Sequence, residues 1–207
     1  MNRVAIVDYG MSNLDSVARA IEECGGTPVL TRSPADLVDA SRIILPGVGV
    51  FADAMGRLRS LGYEDVLQEQ VQAKGVPFLG ICLGMQLMAA RGVEGGETRG
   101  LGWIEGECVR LEPAGGEVRI PHVGWNDVEY SGKAAPALLA GIPTGRDFYF
   151  VHSYHLRCAR AEDVAARTPY CGGFTSLVGG GTVWGAQFHP EKSQQDGFKL
   201  LRNFLAL

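Results

Sequence analysis

Val76-Pro77-Phe78-Leu79-Gly80-Ile81-Cys82-Leu83-Gly84-Met85-Gln86 decides the architecture of this 207-residue chain. The apolar run Val76–Ile81 has the length of a buried strand, and the residues after Cys82 open a helix pattern. A cysteine at such a strand-to-helix turn, with a glycine two residues to either side, reads as a nucleophile elbow. The turn forces the nucleophile into a strained backbone conformation that aims its side chain out of the sheet. A Cβ at position 80 or 84 would crowd the turn or the approaching strand. Backbone N–H groups at the helix start favour the thiolate, the reactive form of the side chain.

Outward from this stretch, apolar runs alternate with helical patterns. Val4–Val7 reads as a strand, followed by a helix near Asn13–Cys24 with Leu14, Val17, Ala18 and Ile21 on one face. Arg42–Leu45 is a second strand, stopped by Pro46-Gly47-Val48-Gly49. One helix starts near Phe51, another spans Glu64–Lys74 up to Gly75, and Leu83–Ala90 is the helix behind the cysteine. This alternation predicts βαβ units and a parallel sheet. The middle is different: Trp103–Leu111, Glu117–Ile120 and Val128–Glu129 are short, turn-punctuated strand candidates suited to an antiparallel extension, with Ala114–Gly116 as a loop tip. Phe148–Val151 and Thr182–Phe188 are further strands, and Gly197–Leu205 closes the chain as a helix. The expected fold is therefore α/β, a three-layer sandwich around a mainly parallel twisted sheet, with the whole of 1–207 forming a single domain.

Composition narrows the function. With 46% hydrophobic and 20% charged residues, the chain is ordinary for a globular enzyme. A net charge of −4 without a basic run argues against nucleic acid as a partner. Cys24, Cys82, Cys108, Cys158 and Cys171 are odd in number and scattered, which fits free thiols in a reducing, cytoplasmic compartment. No apolar stretch approaches the ~18 residues of a membrane span, and the first residues do not resemble a signal peptide.

Active sites of open α/β sheets lie at the carboxyl ends of strands. Asp8-Tyr9-Gly10, Pro46–Gly49, Gly80–Gln86 and His189-Pro190-Glu191 all occupy such ends. A thiolate nucleophile needs a base, and the base needs an orienting group. His189 ends a strand, and in extended chain Glu191 falls on the same side of the backbone, with Pro190 holding the torsion between them. Acyl transfer also needs an oxyanion hole. Leu83 N–H is the natural first donor, and Val48 or Gly49 a second, on a peptide that two glycines leave free to rotate. His152-Ser153-Tyr154-His155 hints at metal by spacing, but no nearby cysteine or carboxylate completes a ligand set. Gly179-Gly180-Gly181 and Gly95-Gly96 lack the pattern of phosphate loops.

Taken together, Gly80–Gln86 and His189-Pro190-Glu191 resemble a class I, triad-type glutamine amidotransferase. Asp8-Tyr9-Gly10, Pro46-Gly47-Val48-Gly49, Pro121-His122-Val123-Gly124-Trp125-Asn126, Phe150–Tyr154 and Gln187–Ser193 are similar to the glutaminase subunits of imidazole glycerol phosphate synthase, in order and at family spacing. The resemblance implies that Cys82 attacks the carboxamide of glutamine, that His189 moves the protons and Glu191 orients it. It implies an oxyanion hole from Val48 and Leu83, and glutamine contacts from Gly49, Gln86, Glu94, Ser153 and Tyr154, although Glu97 lies close enough to compete with Glu94. It implies a (β/α)8-barrel cyclase subunit as partner, forming a heterodimer, with Asn13, Pro121, Trp125, Asn126 and Lys192 as candidates for the docking face. No cofactor or metal is called for. Ser12 departs from the family's usual glycine, and Ala89-Ala90-Arg91-Gly92 lacks the aromatic and acidic residues often found there. Competing readings are a glutaminase serving another synthase, a subunit that binds glutamine without hydrolysing it, and a cysteine peptidase or γ-glutamyl hydrolase. The filled triad positions, the P-H-x-G-W-N run and Gln86 weigh against them.

Overall fold

Arg3–Val7 (β1), Leu14–Glu23 (α1), Thr27–Thr31 (β2), Arg42–Gly47 (β3), Phe51–Ser60 (α2), Tyr63–Leu67 (α3) and Phe78–Cys82 (β4) make up the first part of the fold. Leu83–Gln86 (α4) follows β4 directly. Ala89–Gly92 (β5), Thr98–Arg99 (β6), Ile104–Arg110 (β7), His122–Val128 (β8), Arg146–His152 (β9) and Tyr154–Cys158 (β10) come next. Val164–Thr168 (β11), Phe174–Gly180 (β12), Val183–Ala186 (β13) and Gln194–Leu205 (α5) complete it. The structure, a computed structural model, describes residues 3–113, 118–131 and 135–207.

The main sheet runs β11-β12-β13-β4-β3-β1-β2. Its pairings from β13 to β2 are all parallel, and β12 and β11 close one side antiparallel. Successive residues of its central strands enter two different cores, because side chains alternate across a strand. Val4, Ile6, Ile44, Leu79 and Ile81 pack against α1, α5 and the phenylalanines of β9. Ala5, Val7, Ile43, Leu45 and Phe78 pack on the other side against α2 and α3. Both faces of the sheet are therefore dry, which is why its strands read as unbroken apolar runs. The helices match: Val17, Ala20 and Ile21 of α1 are buried at i, i+3 and i+4 spacing. The result is the expected three-layer α/β sandwich. A four-stranded sheet β10-β7-β5-β6 and the antiparallel pair β8-β9 form the extension.

Several boundaries differ from the sequence reading. The helix expected over Leu83–Ala90 stops after Gln86. The carbonyls of Leu87 and Met88, which a continuing helix would offer to residues 91 and 92, instead accept from Leu101, Trp103 and Ile104. That draws Ala89–Gly92 into the second sheet, where apolar length alone had been read as helix. The helix expected over Glu64–Lys74 is one turn, Tyr63–Leu67, widening into π-helical geometry over Gln68–Ala73. Of the strand expected at Glu117–Ile120, residue 117 and the Ala114–Gly116 loop tip lie outside the described residues, and 118–120 are irregular. Val128–Glu129 is the end of a longer strand, β8. Unforeseen strands include β2, whose Pro28 is tolerated because the strand is a sheet edge.

The elbow depends on two missing Cβ atoms. One built at Gly84 would lie 1.8 Å from the backbone oxygen of Leu45, and one at Gly80 would lie 2.7 Å from the backbone of Gly84. Gly56, exposed in α2, has open space around it. Gly84→Ala is therefore expected to destabilise by about 3 kcal/mol, and Gly56→Ala to stabilise by roughly 1 kcal/mol through helix propensity. Urea unfolding of the two variants measures both, and equal stabilities would contradict the assigned packing.

Candidate active site

Strand register assembles the site. β3 pairs with β4 so that Gly47 stands opposite Cys82, and β13 pairs with β4 so that Ala186 stands opposite Ile81. Three adjacent carboxyl ends thus deliver Val48-Gly49, Cys82 and, three residues past Ala186, His189 to one place. Cys82 has φ 53° and ψ −108°, a region costing an L-residue of order 1–3 kcal/mol, so the elbow is strained as expected. It caps α4, and Leu83 N–H, first in that helix, has no intrahelical acceptor to engage.

A cavity of about 240 Å³ opens over the sulfur. Val48, Gly49, Cys82, Leu83, Gln86, Glu94, Ser153, Tyr154 and His189 line it, as do Val151 and His152. All the expected oxyanion and glutamine-binding residues thus meet around one space. Of the two competing carboxylates, Glu94 faces the cavity and accepts from Phe51 N–H at 3.2 Å, while Glu97 pairs with Arg91 at the surface. Burial lifts the Glu94 carboxyl above the ordinary range, partly opposed by the Phe51 N–H.

His189 Nδ1 meets Glu191 Oε1 at 2.8 Å, with both side chains almost wholly buried. Nε2 of His189 has no hydrogen-bond partner, so its free edge belongs to the cavity. Burial opposes charge on this imidazole, but the Cys82 sulfur and Glu191 outweigh it and push His189 up to about 10. The sulfur acts on the ring electrostatically, without a hydrogen bond of good geometry. A protonated His189 is the counter-ion that a cysteine thiolate needs.

The Pro46–Gly49 loop is in a defined state. Val48 N–H donates to Met11 C=O at 2.8 Å, and Ser12 Oγ donates to Pro46 C=O at 3.3 Å. Val48 N–H is thereby turned to Met11, while Leu83 N–H, at the start of α4, has no intrahelical acceptor.

The expected docking residues lie beside the cavity rather than in it. Trp125 is 46% exposed on β8, edge-on to Tyr149 of β9, so it is not a core aromatic. Asn13, Pro121 and Lys192 are exposed, with Lys192 Nζ 5.8 Å from the centre of the Tyr149 ring. Asn126 is half-buried and bonded to His122 at 3.1 Å. His152, whose spacing to His155 had hinted at metal, has both ring nitrogens committed to His122 and to Tyr154 C=O. Sequence reasoning missed Gln187, whose Nε2 donates to Cys82 Sγ at 3.7 Å. The extended chain expected at His189–Glu191 is instead a single 3-10 turn, Pro190–Lys192, which folds Glu191 back onto the imidazole; Gln187 lies in the bend just before it, where strand alternation gives no signal.

Comparisons with known proteins agree with this geometry. Residues 5–207 match the family described as glutamine amidotransferase class-I. A solved glutamine amidotransferase superposes with a TM-score of 0.75 at 22% identity, covering 98% of this chain and 97% of its own. The chain therefore belongs to the class-I glutamine amidotransferases. It is 48% identical to "Imidazole glycerol phosphate synthase subunit HisH" of Agrobacterium fabrum, with 98% of each chain covered. It is 46% identical to subunit HisH 1 of Campylobacter jejuni strain RM1221, over 99% of this chain and all of that one. Within its class, the chain is a member of the HisH group.

His189, raised by Cys82 and by Glu191, makes stability depend on pH. An imidazole raised from 6.5 to about 10 stabilises the fold fully below pH 6.5, and that contribution is lost as pH climbs towards 10. Glu191→Gln is expected to cost about 3 kcal/mol near pH 6, with the deficit shrinking at alkaline pH. Urea unfolding across pH 6–10 checks this; a deficit that does not change with pH would sink the ion-pair account.

Proposed function

We propose that this chain is the glutaminase subunit of an imidazole glycerol phosphate synthase, hydrolysing glutamine and passing the ammonia to a (β/α)8-barrel cyclase with which it forms a heterodimer in the cytoplasm. The whole of 1–207 acts as one amidotransferase domain in this reading. The observation that carries it is the cavity bringing Cys82 and His189 together with Glu94, Gln86, Ser153 and Tyr154. A space of this kind has a carboxylate for an α-amino group at one end and a nucleophile at the other. The HisH relatives support the pathway, histidine biosynthesis, and the existence of a partner subunit.

In the proposed reaction, Cys82 Sγ attacks the carboxamide carbon, and the carbonyl oxygen becomes an oxyanion held by Leu83 N–H. His189 gives its proton to the departing ammonia, leaving a glutamyl thioester. The neutral imidazole then takes a proton from water, whose oxygen attacks the thioester, and glutamate and the thiolate separate. Glu191 holds the imidazole in position throughout. Val48 N–H is the second oxyanion donor, and it serves only after leaving Met11 C=O. A lost oxyanion donor costs roughly 10²–10³ in rate, so this resting bond keeps the uncoupled subunit slow.

The partner docks on the β8-β9 pair. Val123, Trp125 and Val151 expose an apolar surface there, and Val151 C=O lies 3.9 Å from Cys82 Sγ. Ammonia formed at the sulfur thus emerges next to the docked face. The net charge is −4, and no described helix is long and apolar enough to span a bilayer.

Glutamate release from glutamine, measured for the chain alone and with a (β/α)8 imidazole glycerol phosphate cyclase plus its nucleotide substrate, tests the proposal. Activity is expected only in the full mixture, and high turnover by the chain alone contradicts the resting role of the Val48 peptide. Cys82→Ala is expected to abolish glutamine-dependent synthesis while ammonia-dependent synthesis persists; loss of both would make Cys82 structural. Trp125→Ala is expected to weaken cyclase binding by about 2 kcal/mol, as for a central aromatic anchor, and calorimetric titration reading an unchanged Kd would remove Trp125 from the interface.

A further inference from the structure

A buried chain of hydrogen bonds leads to the sulfur of Cys82, and the reaction above gives its last member, Gln187, no part. Gln187 is fully buried. Its Nε2 lies 3.7 Å from Cys82 Sγ, and Gln86 Nε2 lies 3.1 Å from its Oε1. Gln86 Nε2 also lies 2.8 Å from Tyr154 C=O. Val151 C=O also lies 3.9 Å from the sulfur and accepts from S–H.

The direction of this chain is dictated by one group. A backbone carbonyl only accepts, so Gln86 must turn its NH2 towards Tyr154. The second hydrogen of that NH2 points to Gln187, so Gln187 must offer its oxygen there. Its own NH2 is thereby committed to the sulfur side. Tyr154 C=O is itself held from the opposite side by His152 Nδ1–H at 2.9 Å. His152 Nε2 in turn meets His122 Nδ1 at 3.1 Å, and His122 Nε2 meets Asn126 Nδ2 at 3.1 Å. Buried neutral rings leave one self-consistent polarity for these bonds, each donor pointing towards the Tyr154 carbonyl.

We infer that Gln187 is a further catalytic residue of the glutaminase centre: its carboxamide N–H bonds to the sulfur of Cys82 and holds the negative charge there, with Gln86 and the Tyr154 carbonyl locking it donor-first. This rests on the reading of Cys82 as nucleophile. A hydrogen bond to a charged acceptor is stronger than to a neutral one, so the bond from Gln187 tightens whenever the sulfur carries negative charge during the reaction. It acts on the sulfur and not on glutamine, so its loss lowers kcat and leaves KM nearly unchanged.

Gln187→Met keeps the side-chain length and removes the donor. Alkylation of Cys82 by iodoacetamide at neutral pH, followed by mass spectrometry of the Cys82 peptide, is expected to slow roughly tenfold in this variant. In the full complex, kcat for glutamine hydrolysis is expected to fall by about the same factor, with ammonia-dependent synthesis unchanged. Equal alkylation rates in variant and wild type, in an enzyme that hydrolyses glutamine, overturn the role of Gln187 alone. A wild-type complex that hydrolyses no glutamine overturns the functional reading instead. Should the variant not fold, the wild type suffices: the Gln187 side-chain N–H resonances are expected to shift when Cys82 is alkylated, and unmoved resonances overturn the inference.

Discussion

The backbone of Gly84 packs against the carbonyl of Leu45 with no room for a side chain between them, and the site is built on that contact. It brings α4 down onto β3 immediately after β4 ends, leaving no residue to make a gentler turn. Cys82 absorbs the change of direction at φ 53°, strain that the surrounding sheet holds in place. Gly47 belongs to the same arrangement, since a Cβ there would lie 2.3 Å from the Tyr9 hydroxyl. Gly80 and Gly84 thus let backbone meet backbone, Gly47 leaves room for the Tyr9 hydroxyl, and Cys82 rises where they converge.

Electrostatics around this point show how one environment produces opposite results. Burial disfavours charge on every histidine of the chain. His122 and His155 are pushed down to about 4 and His152 to about 3, because their contacts do not outweigh that loss of water. His189 goes up to about 10 under the same pressure, since Glu191 and Cys82 outweigh it. Neutral His152, bonded to His122, and charge-carrying His189 therefore line one cavity, set apart by the partners each was given. The first loop adds restraint, as Met11 C=O accepts from Val48 N–H and Ser12 Oγ donates to Pro46 C=O. Ser12 is thus one of the clasps on the Pro46–Gly49 loop.

The β8-β9 pair joins this chemistry to the outside. Its inner residues Phe148 and Phe150 are fully buried, while Val123, Trp125 and Val151 face out. Tyr149 C=O accepts from His189 N–H at 2.9 Å, and Val151 lines the cavity. The backbone of this ribbon therefore touches both His189 and Cys82, through Tyr149 C=O and Val151 C=O.

The sequence by itself determined the central strands, the elbow and the His189–Glu191 pair. Those features are local: an apolar run, two glycines around a cysteine, and an i, i+2 spacing carry their geometry within a few residues. The early end of α4, the π-helical turn after Leu67 and the capture of Ala89–Gly92 by a second sheet were decided by partners far along the chain. Glu94 over Glu97, the exposure of Trp125 and the resting bond of Val48 likewise needed the assembled structure. Gln187 lay in plain view beside His189, but its orientation follows from Tyr154 C=O through Gln86, residues brought together only by folding. Short-range periodicity records what a segment prefers, whereas a hydrogen bond's direction and a side chain's burial depend on what arrives from elsewhere to meet it.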